Sequence, residues 1–320
     1  MNNMETYNTI DELEHVWDKQ FKIDSISSFE SLKNLEKNNP CFQRYHVDFN
    51  TNSFIIDYKI NINIFKFKGP FNLRFPLNII GMPFSVSKKG YSFSNLEKYI
   101  KHTKGFKLIL NSDNNLDFPK GYTLPSCVLD LNFKSFNDYL NSMRSSYRYR
   151  LKKSLCKGGP IHIEEIENSS FDQKLYNLYL QVYMDSKEKL EKLSIDFFKT
   201  YPSKIFVFKL KEKTVAFVQL VHNGDELIFL FGGFNKKINL EYDIYLNMLL
   251  FMVKYGIENN FKSIDFGQTA EESKLKVGCT YKKKYMYLHH HNPLVNRILS
   301  KIIPYFSYKP YSISHKVFKE

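Results

Sequence analysis

Read from its first residue, the chain alternates between short amphipathic segments and runs with strand periodicity. Residues 11–20 and 27–38 place apolar side chains at helical spacing. Strands are predicted over 44–49, 53–64 and 65–75, where Ile, Phe and Tyr alternate with polar residues. Gly81-Met82-Pro83 breaks that pattern. Residues 95–104 bring Leu96, Tyr99 and Ile100 onto one helical face and lead into a strand over 106–110. A turn-rich stretch, 111–125, precedes a strand over 127–131 and a basic helix over 135–157. Gly158-Gly159-Pro160 should stop that helix, through a left-handed glycine cap and a proline that cannot continue it.

The second half has a sharper pattern. A strand over 161–167 is followed by a helix over 173–187 with Leu175, Leu178, Tyr179 and Val182 facing inward, and by a short helix over 194–201. Three strands, 205–210, 214–222 and 226–234, are joined by Lys211-Glu212-Lys213 and Asn223-Gly224-Asp225. Connections this short predict an antiparallel meander. The helix expected over 241–259 is apolar on several faces and should be covered by a sheet. A strand over 263–266, a short helix from Glu271 and a last strand over 284–289 complete the pattern.

The pattern predicts an α+β fold in parts: an α+β unit over 1–125, a second unit over 126–292 and an amphipathic C-terminal tail over 293–320. With 29 Phe and 22 Tyr, the chain has ample surface to bury and is not a disordered one. A formal net charge of +13 favours anionic partners: a phosphorylated cofactor, tRNA or an anionic membrane surface. Cys41, Cys127, Cys156 and Cys279 form no CxxC pair, which fits reduced thiols in a cytoplasmic protein. The start of the chain is polar and acidic, and no segment approaches the roughly 20 apolar residues of a membrane helix.

The order of elements in the second half, together with three segments, resembles FemAB-like acyltransferases of the GNAT superfamily. The run from Tyr255 through Asp265-Phe266-Gly267 is similar to the end of that family's long helix and its D-x-G strand. Ser273-Lys274-Leu275-Lys276-Val277-Gly278-Cys279 is similar to its lysine-bearing turn. The basic run from Arg144 to Lys153 resembles the helix that opens its catalytic half. The resemblance spans about residues 125–292. It implies a GNAT-like, mixed and mostly antiparallel sheet flanked by helices, with residues 1–125 as a second, degenerate GNAT-like unit in tandem. It implies amide-bond formation, with acyl-CoA, aminoacyl-tRNA or acyl-carrier protein as donor. One feature departs from the acetyl-CoA-binding pattern. The stretch after the 226–234 strand, Asn235 to Tyr242, contains no glycine for a backbone phosphate cradle, and only Lys236 and Lys237 offer charge there.

N-acyl transfer depends on positioning and electrostatic stabilisation rather than on a fixed triad. Lys274, past the Asp265-Phe266-Gly267 strand end, is the candidate for stabilising developing negative charge. Asp265 either orients an amine or caps the following helix. Gln268 and Glu271 are candidate polar contacts to substrate, or turn residues. Arg144, Arg148 and Lys152, with Tyr147 and Tyr149 interleaved, are candidates for attracting a phosphorylated partner. His289-His290-His291 is a poor chelate because successive strand residues point to opposite faces, so no metal is expected. His222 and Cys279 read as a turn histidine and a small core residue. The expected partners are a phosphorylated acyl donor and an amine acceptor, with tRNA or a carrier protein and a peripheral membrane contact also open. The alternative is a non-catalytic GNAT-like module that binds RNA or anionic lipid.

Overall fold

The computed structural model describes residues 4–21, 23–39, 41–63, 74–92, 96–186, 191–309 and 315–319. Most of the strand expected over 65–75 lies outside these residues. The chain forms two compact units: residues up to Pro125 with 283–309, and residues 126–282 with the C-terminal 315–319.

In the first unit, β1 (Glu5–Tyr7), α1 (Trp17–Gln20) and α2 (Phe29–Asn38) precede β2 (Phe42–Asp48), β3 (Ser53–Asn63) and β4 (Arg74–Ile80). A Ser28 side chain caps α2. Helix α3 (Leu96–His102) leads to β5 (Phe106–Ser112) and β6 (Lys120–Tyr122).

The second unit begins with β7 (Ser126–Asp130). The single basic helix expected over 135–157 is two, α4 (Phe136–Ser142) and α5 (Ser145–Gly158). Between them Met143 and Arg144 are extended, because Met143 bridges to Phe318 and the Arg144 N–H donates to Val317 O. That break is imposed by a segment far along the chain and has no local signal. The end of α5 also differs in detail. Gly159 is right-handed at the cap, so Pro160 rather than a left-handed glycine makes the stop.

Next come β8 (Ile161–Ile166), α6 (Gln173–Asp185, capped by Asp172), α7 (Ile195–Thr200), and the meander β9 (Lys204–Leu210), β10 (Lys213–Asn223) and β11 (Glu226–Phe234). The helix expected over 241–259 is a short turn, α8 (Asn239–Tyr242), and a long helix, α9 (Ile244–Glu258), parted at left-handed Asp243. The Asn247 amide ties this break to α5, donating to Tyr242 O and Ser154 O at 3.0 Å each. Strand β12 (Ser263–Asp265), α10 (Glu271–Lys276) and β13 (Thr280–Lys282) close the unit.

The sheet of this unit runs β13-β7-β12-β11-β10-β9-β8. Every pairing is antiparallel except β11 with β12. Helix α9 is covered, with Ile244, Met248, Leu249, Leu250, Met252 and Val253 buried. Gly233 lets α6 lie directly on the other face of β11: a Cβ there would stand 2.5 Å from the Leu178 backbone carbon.

The last strand, β14 (Tyr285–His290), was expected to complete the second unit. It pairs instead with β5 and β6 of the first, while β13 forms the edge of the second sheet, beside β7. Helix α11 (Pro293–Phe306) follows β14 and packs on it and on β6. The first sheet therefore runs β1-β2-β3-β4-β5-β14-β6. The two orders match position by position. In each sheet an antiparallel meander feeds a helix, then a strand parallel to the meander's last one, then an antiparallel neighbour. That sixth position is filled by β14, which follows the second unit in the chain, and by β7, which opens it. Among the described residues no helix is long and apolar enough to cross a membrane.

Candidate functional site

Strands β11 and β12 run side by side only over Glu226–Ile228 and Ser263–Asp265. Strand β11 continues to Phe234 with no described strand beside it on that edge. Leu230 is bulged out of its ladder with β10, where Gln219 opposes Phe231 and Leu220 opposes Phe229. The two parallel strands therefore part in a notch, with the main chain of β11 along one side.

The other side of the notch is the turn after β12. Gly267, Thr269 and Ala270 all have positive φ, at 70°, 65° and 48°. For Thr and Ala this is a strained conformation of the kind held only where surrounding contacts enforce it. Asp265, 2% exposed, supplies one such contact, accepting from the Gly267 N–H at 2.8 Å and from the Ser126 hydroxyl.

Lys274 supplies another. It is 2% exposed, and its Nζ donates to Gly267 O at 3.3 Å and Gln268 O at 2.8 Å. These bonds use two of the three donors of an ammonium. Burial pulls the Lys274 amine below its ordinary pKa, while Cys127, Cys279, Asp265 and Glu271 pull the other way. The Glu271 carboxylate accepts from the Tyr281 hydroxyl at 2.9 Å. Burial pushes the Cys127 thiol up to about 11 and raises Cys279 as well, so both sulfurs are held as neutral thiols. Lys276 is paired with Glu272 on the outer side of α10.

Lys236 and Lys237 lie past the end of β11, both exposed, with Lys236 paired to Asp185. Helix α5 packs against α8 and α9 beside that loop, and Lys157 fixes it there by donating to Leu240 O at 3.0 Å and Asp243 Oδ1 at 3.2 Å. On α5 the structure separates the expected cations. Arg144 donates to Phe318 O at 3.2 Å, and Arg148 donates to Met143 O at 3.3 Å, so both guanidiniums hold the break before the helix. Arg150, Lys152 and Lys153 are exposed.

The turn thus gathers Asp265, Gln268, Glu271 and Lys274. Lys236 and Lys237 stand at the open end of β11, and Lys152 lies on the outer face of α5. Sequence reading missed Ser126, Tyr281 and Lys157. Ser126 opens a strand expected to begin one residue later, and no strand was expected where β13 lies. His222 lies at the far end of the sheet, beside Tyr255 (3.0 Å). His289 and His290 alternate along β14: His289 is buried against Phe118, and the His290 ring lies tilted against Phe106.

No protein-family model matches the sequence, and no curated protein matches it. Solved structures do match the fold. The C-terminal domain of a protein described as a lysylphosphatidylglycerol synthetase from Agrobacterium fabrum is similar with a TM-score of 0.59 at 11% identity, over 92% of this chain and 96% of that one. FemX is similar with a TM-score of 0.55 at 13% identity, over 92% of this chain and all of that one. L-PGS from Bacillus licheniformis gives 0.50 at 14% identity, over 84% and 95%. Identities this low make the likeness one of fold. The chain has a GNAT-like α+β fold of two mixed, mostly antiparallel sheets flanked by helices.

Proposed function

We propose that the chain is an N-acyltransferase working at the notch between β11 and β12. The single observation that carries this reading is the parting of those two strands after three paired residues, beside a turn held by a buried lysine. An activated carbonyl laid along the open edge of β11 accepts hydrogen bonds from main-chain N–H groups. Such donors cost no reorganisation when the oxyanion forms. The acceptor's nitrogen attacks the carbonyl carbon, the bond to the donor's sulfur or oxygen breaks, and the amine's proton leaves to the acceptor's phosphate or to solvent. Lys274 adds positive charge behind the turn. Asp265, Gln268 and Glu271 shape the turn that the amine approaches.

The phosphates of the donor meet Lys236 and Lys237 at the mouth of the notch, with Lys152 and Lys153 of α5 beyond them. Acyl-CoA, aminoacyl-tRNA and acyl-carrier protein all present phosphate there. The name of the Agrobacterium neighbour is that of an enzyme making an aminoacylated lipid, which supports keeping an aminoacyl donor beside acyl-CoA.

The test is binding of two probes, palmitoyl-CoA and charged tRNA, to the full chain as salt is varied. Lys237→Glu with Lys152→Glu is expected to weaken whichever probe binds by tenfold or more at low ionic strength. The loss should shrink as salt screens the contacts. Affinity unchanged at every salt concentration would remove these lysines from the donor site.

A further inference from the structure

We propose that α11 is a membrane-surface helix, lying in the headgroup layer of an anionic bilayer. The helix is fixed on the first unit by its inner side. Ile303 is 1% exposed and packs over Gly121 and Met286. The Asn296 side chain accepts from His290 N–H at 2.7 Å and donates to His290 O at 2.6 Å. The Tyr122 N–H donates to Ser307 Oγ at 2.6 Å. The outer side is apolar all the same. Leu294, Ile298 and Ile302 follow at four-residue spacing and Tyr305 three residues later, so they form one row along the helix. Leu294 is 72% exposed, Ile298 56%, Tyr305 88% and the adjoining Phe306 71%.

The edges of that row decide what covers it. Arg297 and Lys301 flank it, both exposed and neither with an ion-pair partner among the described residues, and residues 293–309 contain no Asp or Glu. In a two-fold pairing of two copies, this cationic edge would be repeated on the facing helix with no acid to meet it. An anionic lipid surface offers both the apolar layer for the row and the counter-charge for its edge. At 14 residues the helix is about 21 Å long, too short to span a bilayer and suited to lying in its plane. Tyr305, at the end of the row, has the amphipathic ring favoured at that depth.

The experiment is flotation of the full chain with vesicles of phosphatidylcholine alone or mixed with phosphatidylglycerol. The parent should float with the mixed vesicles and far less with phosphatidylcholine. Ile298→Ser with Tyr305→Ser should reduce flotation by about tenfold or more. Arg297→Gln with Lys301→Gln should reduce it by about fivefold per charge on anionic vesicles only. All four side chains face outward, so the fluorescence of buried Trp17 should be unchanged in both variants. Flotation of the apolar variant equal to the parent overturns the proposal. So does a parent that floats with neither vesicle but elutes as a dimer that Ile298→Ser dissociates, since the row is then a protein interface. No acyl donor enters this assay, so its failure leaves the transferase reading standing.

Discussion

Lys274→Met is expected to lower acyl transfer about a hundredfold at saturating donor and acceptor, with KM for either changing little. That is the usual cost of losing one pre-placed electrostatic contact felt mainly in the transition state. The fold should tolerate the change, because a buried lysine is replaced by an apolar side chain of similar length and the cost of desolvating the amine is relieved. The two carbonyls it bonds belong to a turn also held by Asp265 through the Gly267 N–H. A merely structural role for Lys274 would loosen the turn and raise KM along with the loss of rate. Lys276→Met is the control, since Lys276 pairs with Glu272 on the outer face of α10 and should retain full turnover. Full turnover in Lys274→Met would remove Lys274 from the chemical step, and equal damage from Lys276→Met would reduce its role to local positive charge.

Asp57→Ala is expected to destabilise the first unit by about 3–5 kcal/mol, the range for breaking a buried ion pair from one side. Asp57 is 1% exposed and receives a two-pronged contact from Arg44, at 2.9 and 2.7 Å, with His46 Nε2 at 3.3 Å and the Tyr99 hydroxyl at 3.4 Å. Removing the carboxylate leaves a half-buried guanidinium without its acceptor. Trp17 is the one tryptophan in the chain and is buried in this unit against Phe21, Tyr45 and Phe54, so its fluorescence during denaturant unfolding reports this unit.

The pH dependence has a definite sign. Burial alone would raise the Asp57 carboxyl, but hydrogen bonds from His46 and Arg44 outweigh it and hold it below its ordinary value. Its contribution is therefore present above the unfolded carboxylate pKa of about 4 and is lost as pH falls through the folded one. Burial pulls His289 down from 6.5 to about 4, so the unfolded chain binds that proton first and stability also falls between those two values. The Trp17 midpoint should decline from about pH 6.5 downward, and Asp57→Ala should flatten only the lower part of the decline. A parent midpoint constant down to pH 4, or an Asp57→Ala protein as stable as the parent, would contradict this.

The Asp57 cluster also marks where the sequence stopped being legible. Arg44 and His46 share one face of β2, and Asp57 opposes Arg44 in register on β3. Strands were correctly expected there, yet nothing local says that this polar face turns into the core. Their pairing partner and covering helix decide that, and both are set by tertiary contacts. The meander, the long apolar helix and the strand before Gly267 were readable because their periodicity and turn residues agree with the fold, apart from the break at Asp243. The return of β14 to the first sheet was not readable, because its pairing with β5 and β6 joins segments far apart in the chain. At the candidate site, Lys274, Asp265, Gln268 and Glu271 were found from one contiguous segment. The Ser126 hydroxyl comes to that segment from a strand far away in the chain, and the Tyr281 hydroxyl from β13 just after it. Arg144 and Arg148 were expected to attract a phosphorylated partner, and their engagement with main-chain carbonyls follows from the α4–α5 break.

The proposed reaction is amide formation at the β11–β12 notch. Its most direct test is to incubate the full chain with labelled acyl-CoA of several chain lengths, or with tRNA carrying labelled amino acids, in the presence of primary-amine acceptors. The product is then treated with mild base, which cleaves esters and thioesters but spares amides. Label is expected in a base-stable product, formed by the parent and about a hundredfold more slowly by Lys274→Met. Donors left intact by a protein that nonetheless retains RNA or anionic lipid would contradict it and make the chain a binding module. A product that base destroys would place the transfer on oxygen rather than nitrogen.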